Sequence, residues 1–313
     1  MSVYVVTGGA GFIGANIAHH LVEDGHEVRV VDNFSTGRRS NLDRIANRID
    51  LREGNICDSA LLAEVFEGAD YVLHQAALPS VQRSVKKPLA TNRANVEGTL
   101  SVLEAARDSS VKRVVYASSS SVYGDKPTLP KVEDMKPDPR SPYATSKLAG
   151  EYYCGVYSDI MGQETACLRY FNVFGPYQNP DSQYAAVIPI FVGNALEQDG
   201  VTVFGDGEQS RDFTYIDNVV DANIRAATTQ GADGEIFNVG CGNRYTLNTM
   251  LEMLEDMLGR PIESEYTDPR PGDVKLSQAS IERAEEILDY EPAVGFREGL
   301  EKTVEWYSSQ QGG

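Results

Sequence analysis

The sequence predicts an α/β fold, in which a doubly wound parallel sheet carries a smaller mixed α/β lobe. Three observations support this: short β-branched runs alternate with amphipathic segments, a glycine-rich turn follows the first run, and the alternation loosens after about residue 171. The predicted strands are residues 3–7, 27–32, 49–52, 71–74 and 113–117. Helical spacing of apolar residues marks 13–24 and 95–108 between them. Repeated βα units place parallel strands in one sheet through right-handed crossovers.

Beyond residue 171 the sequence predicts a lobe of different build. Residues 172–186 are rich in Gly, Pro, Asn and Gln, which is typical of a long functional loop. Helical periodicity returns at 247–258, 281–288 and 296–307. We therefore expect residues 1–171, with a later segment of about 210–240, to form the sheet domain. Residues 172–313 should form mainly the smaller lobe.

The composition restricts the class of partner. The chain has 313 residues, of which 41% are hydrophobic and 24% charged, as in an ordinary globular protein. Its formal charge is −18 and its basic residues are scattered, so neither nucleic acid nor an anionic membrane is an expected partner. Four cysteines without CxxC spacing favour free thiols in a reducing compartment. The chain enters its first strand directly and has no apolar run near the about 20 residues of a membrane span, so we expect a cytoplasmic protein.

A glycine-rich turn follows the first predicted strand. Gly8, Gly11 and Gly14 fall in the order G-x-x-G-x-x-G. Glycines at these places permit a tight turn, let the backbone approach a pyrophosphate and let the helix pack closely on the strand. The start of the helix then directs unpaired N–H groups and a positive dipole at the phosphates. The turn therefore predicts a dinucleotide-binding sheet of the Rossmann type.

Asp32 bears on the choice between NAD and NADP. It ends the second predicted strand, 18 residues after Gly14. A carboxylate there accepts hydrogen bonds from both ribose hydroxyls of NAD and repels the extra phosphate of NADP. We predict NAD, although Arg38 and Arg39 follow closely and leave NADP as the alternative. After the third predicted strand, Asn55 and Ile56 are placed to touch the adenine.

Tyr143 and Lys147 form a Y-x-x-x-K pair on one face of a predicted helix. An ammonium beside a phenol stabilises the phenolate, so we expect Lys147 to lower the pKa of Tyr143 from its usual value of about 10. The tyrosine then removes a hydroxyl proton while hydride leaves the same carbon for a nicotinamide. About 25 residues earlier, a predicted strand runs into a serine cluster that contains Ser119. Its hydroxyl is suited to hold the substrate oxygen.

Together these motifs resemble the extended short-chain dehydrogenase/reductase family of nucleotide-sugar enzymes, over essentially the whole chain. Further runs are similar to the UDP-N-acetylglucosamine and UDP-glucose 4-epimerase subgroups. They are H-Q-A-A-L-P-S-V from residue 74, S-S-S-S-V-Y-G-D from 118, R-Y-F-N-V-F-G from 169, Y-A-A-V-I-P from 184 and S-R-D-F from 210. The resemblance implies NAD as cofactor and a UDP-sugar as substrate. It also implies a homodimer that pairs through helices at 95–108 and 146–161.

The resemblance further implies a role for each matching residue. Ser119 would bind the sugar O4, Tyr143 would be the base and Lys147 would hold the nicotinamide ribose. The implied cofactor contacts are Gly8, Gly11, Phe12, Ile13, Gly14, Asp32, Asn33, Ser35, Gly37, Asn55, Ile56, Gln75, Ala76, Ala77, Asn95, Tyr143 and Lys147. The implied substrate contacts are Ser80, Ser119, Ser120, Asn172, Ala186, Val187, Arg211, Arg270, Asp273 and Ser277. The guanidinium groups of Arg211 and Arg270 can each donate two parallel hydrogen bonds to a pyrophosphate. The alternative is that both are ordinary surface residues. No metal is expected, since His74 has no partner at ligand spacing.

Three positions bear on the choice among members of this family. Dehydrating relatives carry an acidic pair where this chain has Ser120 and Ser121, which cannot do that acid–base work, so epimerisation is favoured. Ser277 matches a position where glucose-restricted relatives carry a bulky tyrosine. A small serine leaves room for an N-acetyl group. We therefore expect activity on UDP-N-acetylglucosamine, and on UDP-glucose as a second substrate.

Two other functions stay open. One is a UDP-glucuronate 4-epimerase or decarboxylase, because the basic residue that would read a C6 carboxylate cannot be located from the sequence. The other belongs to a different class: a catalytically silent module that senses NAD(H). The intact Ser119, Tyr143 and Lys147 argue against it.

Overall fold

A parallel sheet lies at the centre of the protein, whose computed structural model describes residues 1–180, 186–269 and 276–311. The strands in chain order are β1 (Val3–Thr7), β2 (Glu27–Asp32), β3 (Ile49–Glu53), β4 (Tyr71–His74), β5 (Arg113–Ser119), β6 (Glu164–Tyr170), β7 (Val173–Phe174), β8 (Val201–Phe204), β9 (Ser210–Arg211), β10 (Thr214–Tyr215), β11 (Ile236–Val239), β12 (Tyr245–Thr246) and β13 (Ser264–Thr267). Seven of them form the sheet in the order β3-β2-β1-β4-β5-β6-β11, and every neighbouring pair is parallel. The predicted doubly wound α/β fold is confirmed.

Helices cover both faces of this sheet. In chain order they are α1 (Phe12–Glu23), α2 (Ser59–Phe66), α3 (Val81–Lys86), α4 (Pro88–Asn92), α5 (Gly98–Asp108), α6 (Pro142–Met161), α7 (Val187–Glu197), α8 (Ile216–Thr228), α9 (Leu247–Leu258), α10 (Glu282–Leu288) and α11 (Phe296–Gln311). Short 3₁₀ turns cover Arg39–Arg48 and Ser120–Tyr123, and a π turn covers Arg93–Glu97. Among the residues of the three described ranges, no helix is both long and apolar enough to cross a bilayer.

The strands alternate their side chains between two apolar cores, one on each face of the sheet. In β5, Val115 and Ala117 join the core that contains α1 and α8, whereas Val114 and Tyr116 join the core beneath α2, α5 and α6. Such two-sided burial explains why these strands read as continuous apolar runs rather than as an alternating pattern. It also leaves the carboxyl ends of the strands as the natural place for a ligand.

Several predicted boundaries differ from the structure. β3 extends to Glu53 and β5 to Ser119, past the predicted ends at residues 52 and 117. The longer β5 pairs Ser118 with Arg169 and Ser119 with Tyr170 across to β6, which places both serines at the carboxyl edge of the sheet. The helix predicted at 95–108 begins at Gly98, because the chain makes a π turn through the preceding residues.

The later part of the chain contributes to two layers. β11 pairs with β6 in the central sheet, and α8 packs against β5 and β6. A second group holds the parallel pair β8–β13 and the helices α7, α9 and α11. Two short pairs add to these layers. The parallel pair β7–β10 brings residues 173–174 beside 214–215 just after β6, and the antiparallel pair β9–β12 joins residues 210–211 to 245–246.

Candidate active site

The glycine turn between β1 and α1 is packed so closely that side chains do not fit. Gly8 has a φ of +69°, and a Cβ on it would lie 2.7 Å from the Cα of Ala76. A Cβ on Gly14 would lie 2.3 Å from the carbonyl oxygen of Gly8. Gly11 differs, since its Cβ would contact only that same oxygen, at 3.2 Å, so its other side is open. Gly8 thus permits the chain to reverse, and Gly14 lets α1 pack closely on the turn. Gly11, where α1 begins, leaves the backbone accessible.

Asp32 closes the other side of this turn. Its two carboxylate oxygens accept the backbone N–H groups of Ala10 at 2.9 Å and Phe34 at 2.7 Å. Burial raises the pKa of Asp32, while those two hydrogen bonds lower it. Each oxygen keeps a lone pair for a further donor, which is what two ribose hydroxyls require.

Tyr143 lies in the first turn of α6. The N-cap Ser141 accepts the N–H of Ala144 at 3.1 Å, and Pro142 occupies the first helical position, so the start of the helix is well defined. The Tyr143 phenol lies beside the Ser119 hydroxyl at the end of β5, close enough for that hydroxyl to lower the pKa of the phenol. The Ser119 oxygen also accepts the N–H of Ser121 at 3.2 Å, which fixes its position. Strand end and helix start therefore place two hydroxyls beside one another.

Lys147 stands one turn after Tyr143, but its ammonium points elsewhere. Its Nζ donates to the Ala117 carbonyl at 2.7 Å and lies 5.0 Å from the centre of the Tyr116 ring. Burial lowers the pKa of Lys147 to about 8. Burial also raises the pKa of Tyr143, and only the neighbouring Ser119 hydroxyl lowers it. The expectation that Lys147 lowers the pKa of Tyr143 is therefore wrong for this arrangement, since desolvation dominates and the ammonium is engaged by a backbone carbonyl.

These groups line one cavity of about 430 Å³. Seventeen of the residues predicted from the sequence are in its wall: Gly8, Gly11, Phe12, Ile13, Gly14, Asp32, Asn33, Ser35, Asn55, Ile56, Gln75, Ala76, Ala77, Ser80, Tyr143, Lys147 and Ala186. The wall thus includes both the glycine turn and Tyr143. This is a nucleotide-sized groove over the carboxyl ends of parallel strands, with a hydroxyl pair at its wall. A sequence profile of the NAD dependent epimerase/dehydratase family matches residues 4–240.

The chain belongs to the NAD-dependent epimerase/dehydratase family. The UDP-glucose 4-epimerase of Mycolicibacterium smegmatis is 38% identical to it over 310 residues, which cover 98% of each chain. The solved UDP-N-acetylglucosamine 4-epimerase of Methanobrevibacter ruminantium, in complex with UDP-N-acetylmuramic acid, superposes with a TM-score of 0.95 at 38% identity, covering 99% of each chain. The UDP-glucuronic acid 4-epimerase of Bacillus cereus, in complex with UDP-glucuronic acid and NAD, gives 0.90 at 31% identity, covering 98% of this chain and 99% of that one.

NAD is the cofactor of this family, and the groove fits it on two observations. The open side of Gly11 and the N-terminus of α1 suit a pyrophosphate, and Phe12 and Ile13 of that helix start line the groove. Asp32 presents two partly used oxygens to a ribose. Gln75 is also held in place, with its amide bonded to Asn223 at 2.9 Å and to the Tyr170 hydroxyl at 3.1 Å.

Other predicted residues lie among the described residues but outside the groove wall. Asn95 uses its side chain within the protein, accepting the Leu78 N–H at 2.8 Å and donating to Ser146 at 3.0 Å. A Cβ on Gly37 would lie 2.8 Å from the Ala10 backbone, so this glycine serves chain packing. Ser119 is not in the wall itself, but its hydroxyl lies beside Tyr143, which is. The remaining ones are Ser120, Asn172, Val187, Arg211 and Ser277. Arg270 and Asp273 lie outside the described residues.

Two of these form a second polar group beyond β6. The Asn172 amide donates to the Ser277 hydroxyl at 3.0 Å and to the Asp212 carbonyl at 2.8 Å. Ser277 is 8% exposed, so its hydroxyl is shielded. The residues from the loop, from β9 and from the segment after residue 275 thus meet, although 105 positions separate Asn172 from Ser277.

Sequence reasoning missed a buried ion pair behind the hydroxyl pair. Glu151, two turns after Tyr143 on α6, binds the Arg169 guanidinium through contacts of 2.9 and 2.8 Å, and both side chains are at most 2% exposed. Glu151 also accepts the hydroxyl of Ser118, the neighbour of Ser119. The fourfold spacing of Tyr143, Lys147 and Glu151 was a usable signal for one helix face. Because breaking a buried pair leaves a charge uncompensated, this contact anchors α6 to β5 and β6.

A loop after β7 supplies groove residues that the sequence indicated only as a region. Tyr177 and Gln178 are in the groove wall. The Tyr177 ring stacks on His19 of α1, with centroids 5.2 Å apart, and Asn16 donates to the Pro176 carbonyl at 3.0 Å across 160 positions. Periodicity reports no contact at that separation, so only the fold shows it.

His74 is a structural residue. It is 1% exposed, its two ring nitrogens contact the hydroxyls of Thr7 at 2.7 Å and Thr99 at 3.0 Å, and burial lowers its pKa to about 3. Within the ranges that the structure describes, no group of three or more His, Cys, Asp or Glu side chains is placed to hold a metal. All four cysteines are free.

Proposed function

We propose that this protein is a UDP-hexose 4-epimerase, which inverts the C4 hydroxyl through a transient 4-keto sugar. The observation that carries the proposal is that the Tyr143 phenol lies in the wall of a dinucleotide-sized groove, beside the Ser119 hydroxyl. The preferred substrate proposed is UDP-N-acetylglucosamine, with UDP-glucose as a second one. The relatives named above act on, or are solved with, UDP-sugars of this kind.

The chain's own residues handle the proton and the position of the sugar. When bound, NAD would be held by the glycine turn and Asp32 and would supply reversible hydride transfer at C4. Tyr143 would take the proton of the C4 hydroxyl and later give it back, while Ser119 holds that oxygen. Because burial raises the pKa of Tyr143, the phenol is protonated at neutral pH in the structure as it stands. The Ser119 hydroxyl beside it is the group that eases loss of this proton.

The direct test is to incubate the purified protein separately with UDP-N-acetylglucosamine, UDP-glucose and UDP-glucuronate and to resolve the products. We expect the C4 epimer of the first two without consumption of added NAD. Failure of all three to react, in protein that retains NAD, would contradict an epimerase and favour the silent NAD(H)-binding module.

A UDP-uronate epimerase or decarboxylase is the second candidate function. The observation in its favour is that Arg83 lies in the groove wall with Ser80 and Tyr143, where a cation would attract a sugar carboxylate. The solved Bacillus cereus relative carries UDP-glucuronic acid. Product analysis separates the two reactions, since decarboxylation releases CO₂ and epimerisation retains it.

Asp32→Ala is expected to lower the affinity for NAD by about 10- to 100-fold, because hydrogen bonds to a charged group contribute about 1.5–3 kcal/mol. The measurement is NAD content after purification, followed by titration with NAD and NADP. Asp50→Ala serves as a control, since Asp50 makes an exposed ion pair with Arg52 on the neighbouring strand β3. Equal binding of NADP and NAD by the unaltered protein would contradict the role given to Asp32.

A homodimer belongs to the same proposal. Tyr152, Val156 and Ile160 follow one face of α6 at fourfold spacing and are 63%, 45% and 79% exposed. Val85 and Leu89, on α3 and α4 that pack against α6, are 64% and 85% exposed. Apolar patches of this kind mark contact surfaces, and a two-fold axis would bury the same patch on both copies.

Sedimentation equilibrium is expected to give twice the chain mass at micromolar concentration, and Ile160→Asp is expected to shift the protein to monomer. Tyr266→Asp is the control, because Tyr266 is comparably exposed, at 52%, on β13. A monomeric unaltered protein would reject the dimer.

For location we propose the cytoplasm, which the four free thiols support. We also propose that residues 1–171 and about 210–240 hold NAD, while the rest of 172–313 serves mainly the UDP-sugar.

A further inference from the structure

Asp212 is a fully buried carboxylate that the proposed reaction does not use. Its Oδ1 accepts the Cys241 N–H at 2.9 Å, and its Oδ2 accepts the N–H groups of Gly242 and Ala279, both at 3.0 Å. One side chain thereby joins the strand ends around residue 212, the turn after β11 and the segment 276–280. We call Asp212 and these three N–H groups the Asp212 junction.

The backbone of Asp212 reaches the proposed substrate contacts. Its N–H donates to the Ser277 carbonyl at 2.9 Å, and its carbonyl accepts the Asn172 amide at 2.8 Å. Arg211 is its neighbour in sequence. Asp212 is therefore hydrogen-bonded to two proposed UDP-sugar contacts, Asn172 and Ser277, and is adjacent in sequence to a third, Arg211.

The backbone around Asp212 packs closely enough to reach its carboxylate. A Cβ on Gly240 would lie 2.9 Å from the Asp212 carboxylate and 2.7 Å from the Ala279 Cβ, so bare backbone lets the three segments close. Asp212 is 0% exposed, and a buried charge is retained only where hydrogen bonds satisfy it. Three backbone donors do so here.

Ionisation of Asp212 is nevertheless less favourable in the folded chain than in the unfolded chain. Burial raises the pKa of Asp212 to about 6, and the three backbone donors offset only part of that rise. Because the folded chain binds this proton more tightly than the unfolded chain, with its pKa of about 4, the contribution of Asp212 to stability falls as the pH rises from about 4 to about 6. A residue that weakens the fold when ionised is expected where it supplies something other than stability.

We propose that Asp212 is a positioning residue for the UDP-sugar, which fixes Asn172 and Ser277 beside Arg211 before the substrate binds. The inference rests on the proposed function. Contacts that are ordered in advance spare the cost of ordering them on binding, so the effect falls on KM. Ser119, Tyr143 and Lys147 stand on other elements, β5 and α6, so we expect kcat to change little.

The test is Asp212→Asn in the full-length, NAD-loaded protein. The variant keeps the shape of the side chain but turns one acceptor oxygen into an NH₂ group that opposes a backbone donor. We expect KM for UDP-N-acetylglucosamine to rise by at least about tenfold, with kcat within about threefold and NAD retained, since a lost hydrogen bond to a charged group is worth that much. An unchanged KM, or a fall in kcat alone, would overturn the inference.

Asp233→Asn is the control for the same chemical change at an exposed carboxylate. Its carboxylate accepts the Thr165 N–H at 2.9 Å and the Ser158 hydroxyl at 2.7 Å, at the amino end of β6. The same chemical change there is expected to leave KM unaltered. A rise in KM equal to that of Asp212→Asn would show a general loss of stability and would count against positioning.

Ser277→Ala provides a second test if Asp212→Asn fails to fold. It removes only the hydroxyl that accepts the Asn172 amide. KM is expected to rise about fivefold, the value of one neutral hydrogen bond, and an unchanged KM would overturn the inference. No turnover by the unaltered protein would count against the proposed function instead. The dissociation constant of UDP, measured by calorimetry on the same variants, then tests the junction without turnover.

Discussion

Replacing Tyr143 with phenylalanine is expected to lower kcat for UDP-hexose epimerisation by about 100- to 10,000-fold, the usual contribution of a positioned acid–base group. The phenol lies beside the Ser119 hydroxyl and in the groove wall. Phenylalanine keeps the ring and its packing but cannot move a proton. KM and the content of NAD should change little, because the loss is confined to the chemical step.

Tyr152→Phe is the matched control for this substitution. Tyr152 stands on the same helix, α6, and is 63% exposed, so its hydroxyl is outside the groove. We expect wild-type kcat from it. A Tyr143→Phe protein that retains NAD and turns over within about tenfold of the unaltered enzyme would exclude Tyr143 as the base.

Replacing Ser277 with tyrosine is expected to lower kcat/KM for UDP-N-acetylglucosamine by about 10- to 100-fold more than for UDP-glucose. Overpacking of a close site costs about 1–3 kcal/mol, and the N-acetyl group is the part of the sugar that would need the space. Ser277 is 8% exposed, so an added ring has little free volume on the protein side. The measurement is the ratio of the two kcat/KM values in one preparation.

Ser277→Ala separates the ring from the lost hydroxyl. The serine oxygen accepts the Asn172 amide at 3.0 Å, and its removal should weaken both substrates alike. A tyrosine that displaced Asn172 would also affect both sugars equally. An unchanged ratio in Ser277→Tyr would therefore reject Ser277 as the determinant of sugar choice.

Local patterns were sufficient for the sheet and for part of the groove. β1, β2 and β4 match their predicted bounds, and Gly8, Gly11, Gly14 and Asp32 lie together in the groove wall. These features depend on neighbours in sequence: a strand, a turn and a helix start are contiguous, and Asp32 ends the strand that pairs with β1. Tyr143 and Lys147 were found for the same reason, since four positions are one turn of a helix.

Where a side chain points was not decided by spacing. Y-x-x-x-K predicted an ammonium directed at the phenol, yet Lys147 binds the Ala117 carbonyl, and burial raises the pKa of Tyr143. Desolvation depends on what the whole fold places around a group, which no local pattern reports. Asn95 gives the same lesson, because its side chain ties the Leu78 loop to α6, which spacing did not report, and its predicted contact with the cofactor stays a prediction.

The sequence by itself determined the doubly wound sheet, the dinucleotide turn and the hydroxyls that we propose as reactive, because each rests on periodicity or on a short contiguous motif. Only the tertiary structure decided how the smaller lobe completes the site. Asn172, Asp212 and Ser277 meet across 105 positions, Tyr177 reaches back to His19 of α1, and Glu151 finds Arg169. Such contacts follow from how strands and loops pack in three dimensions, and residue spacing along the chain carries no record of that packing.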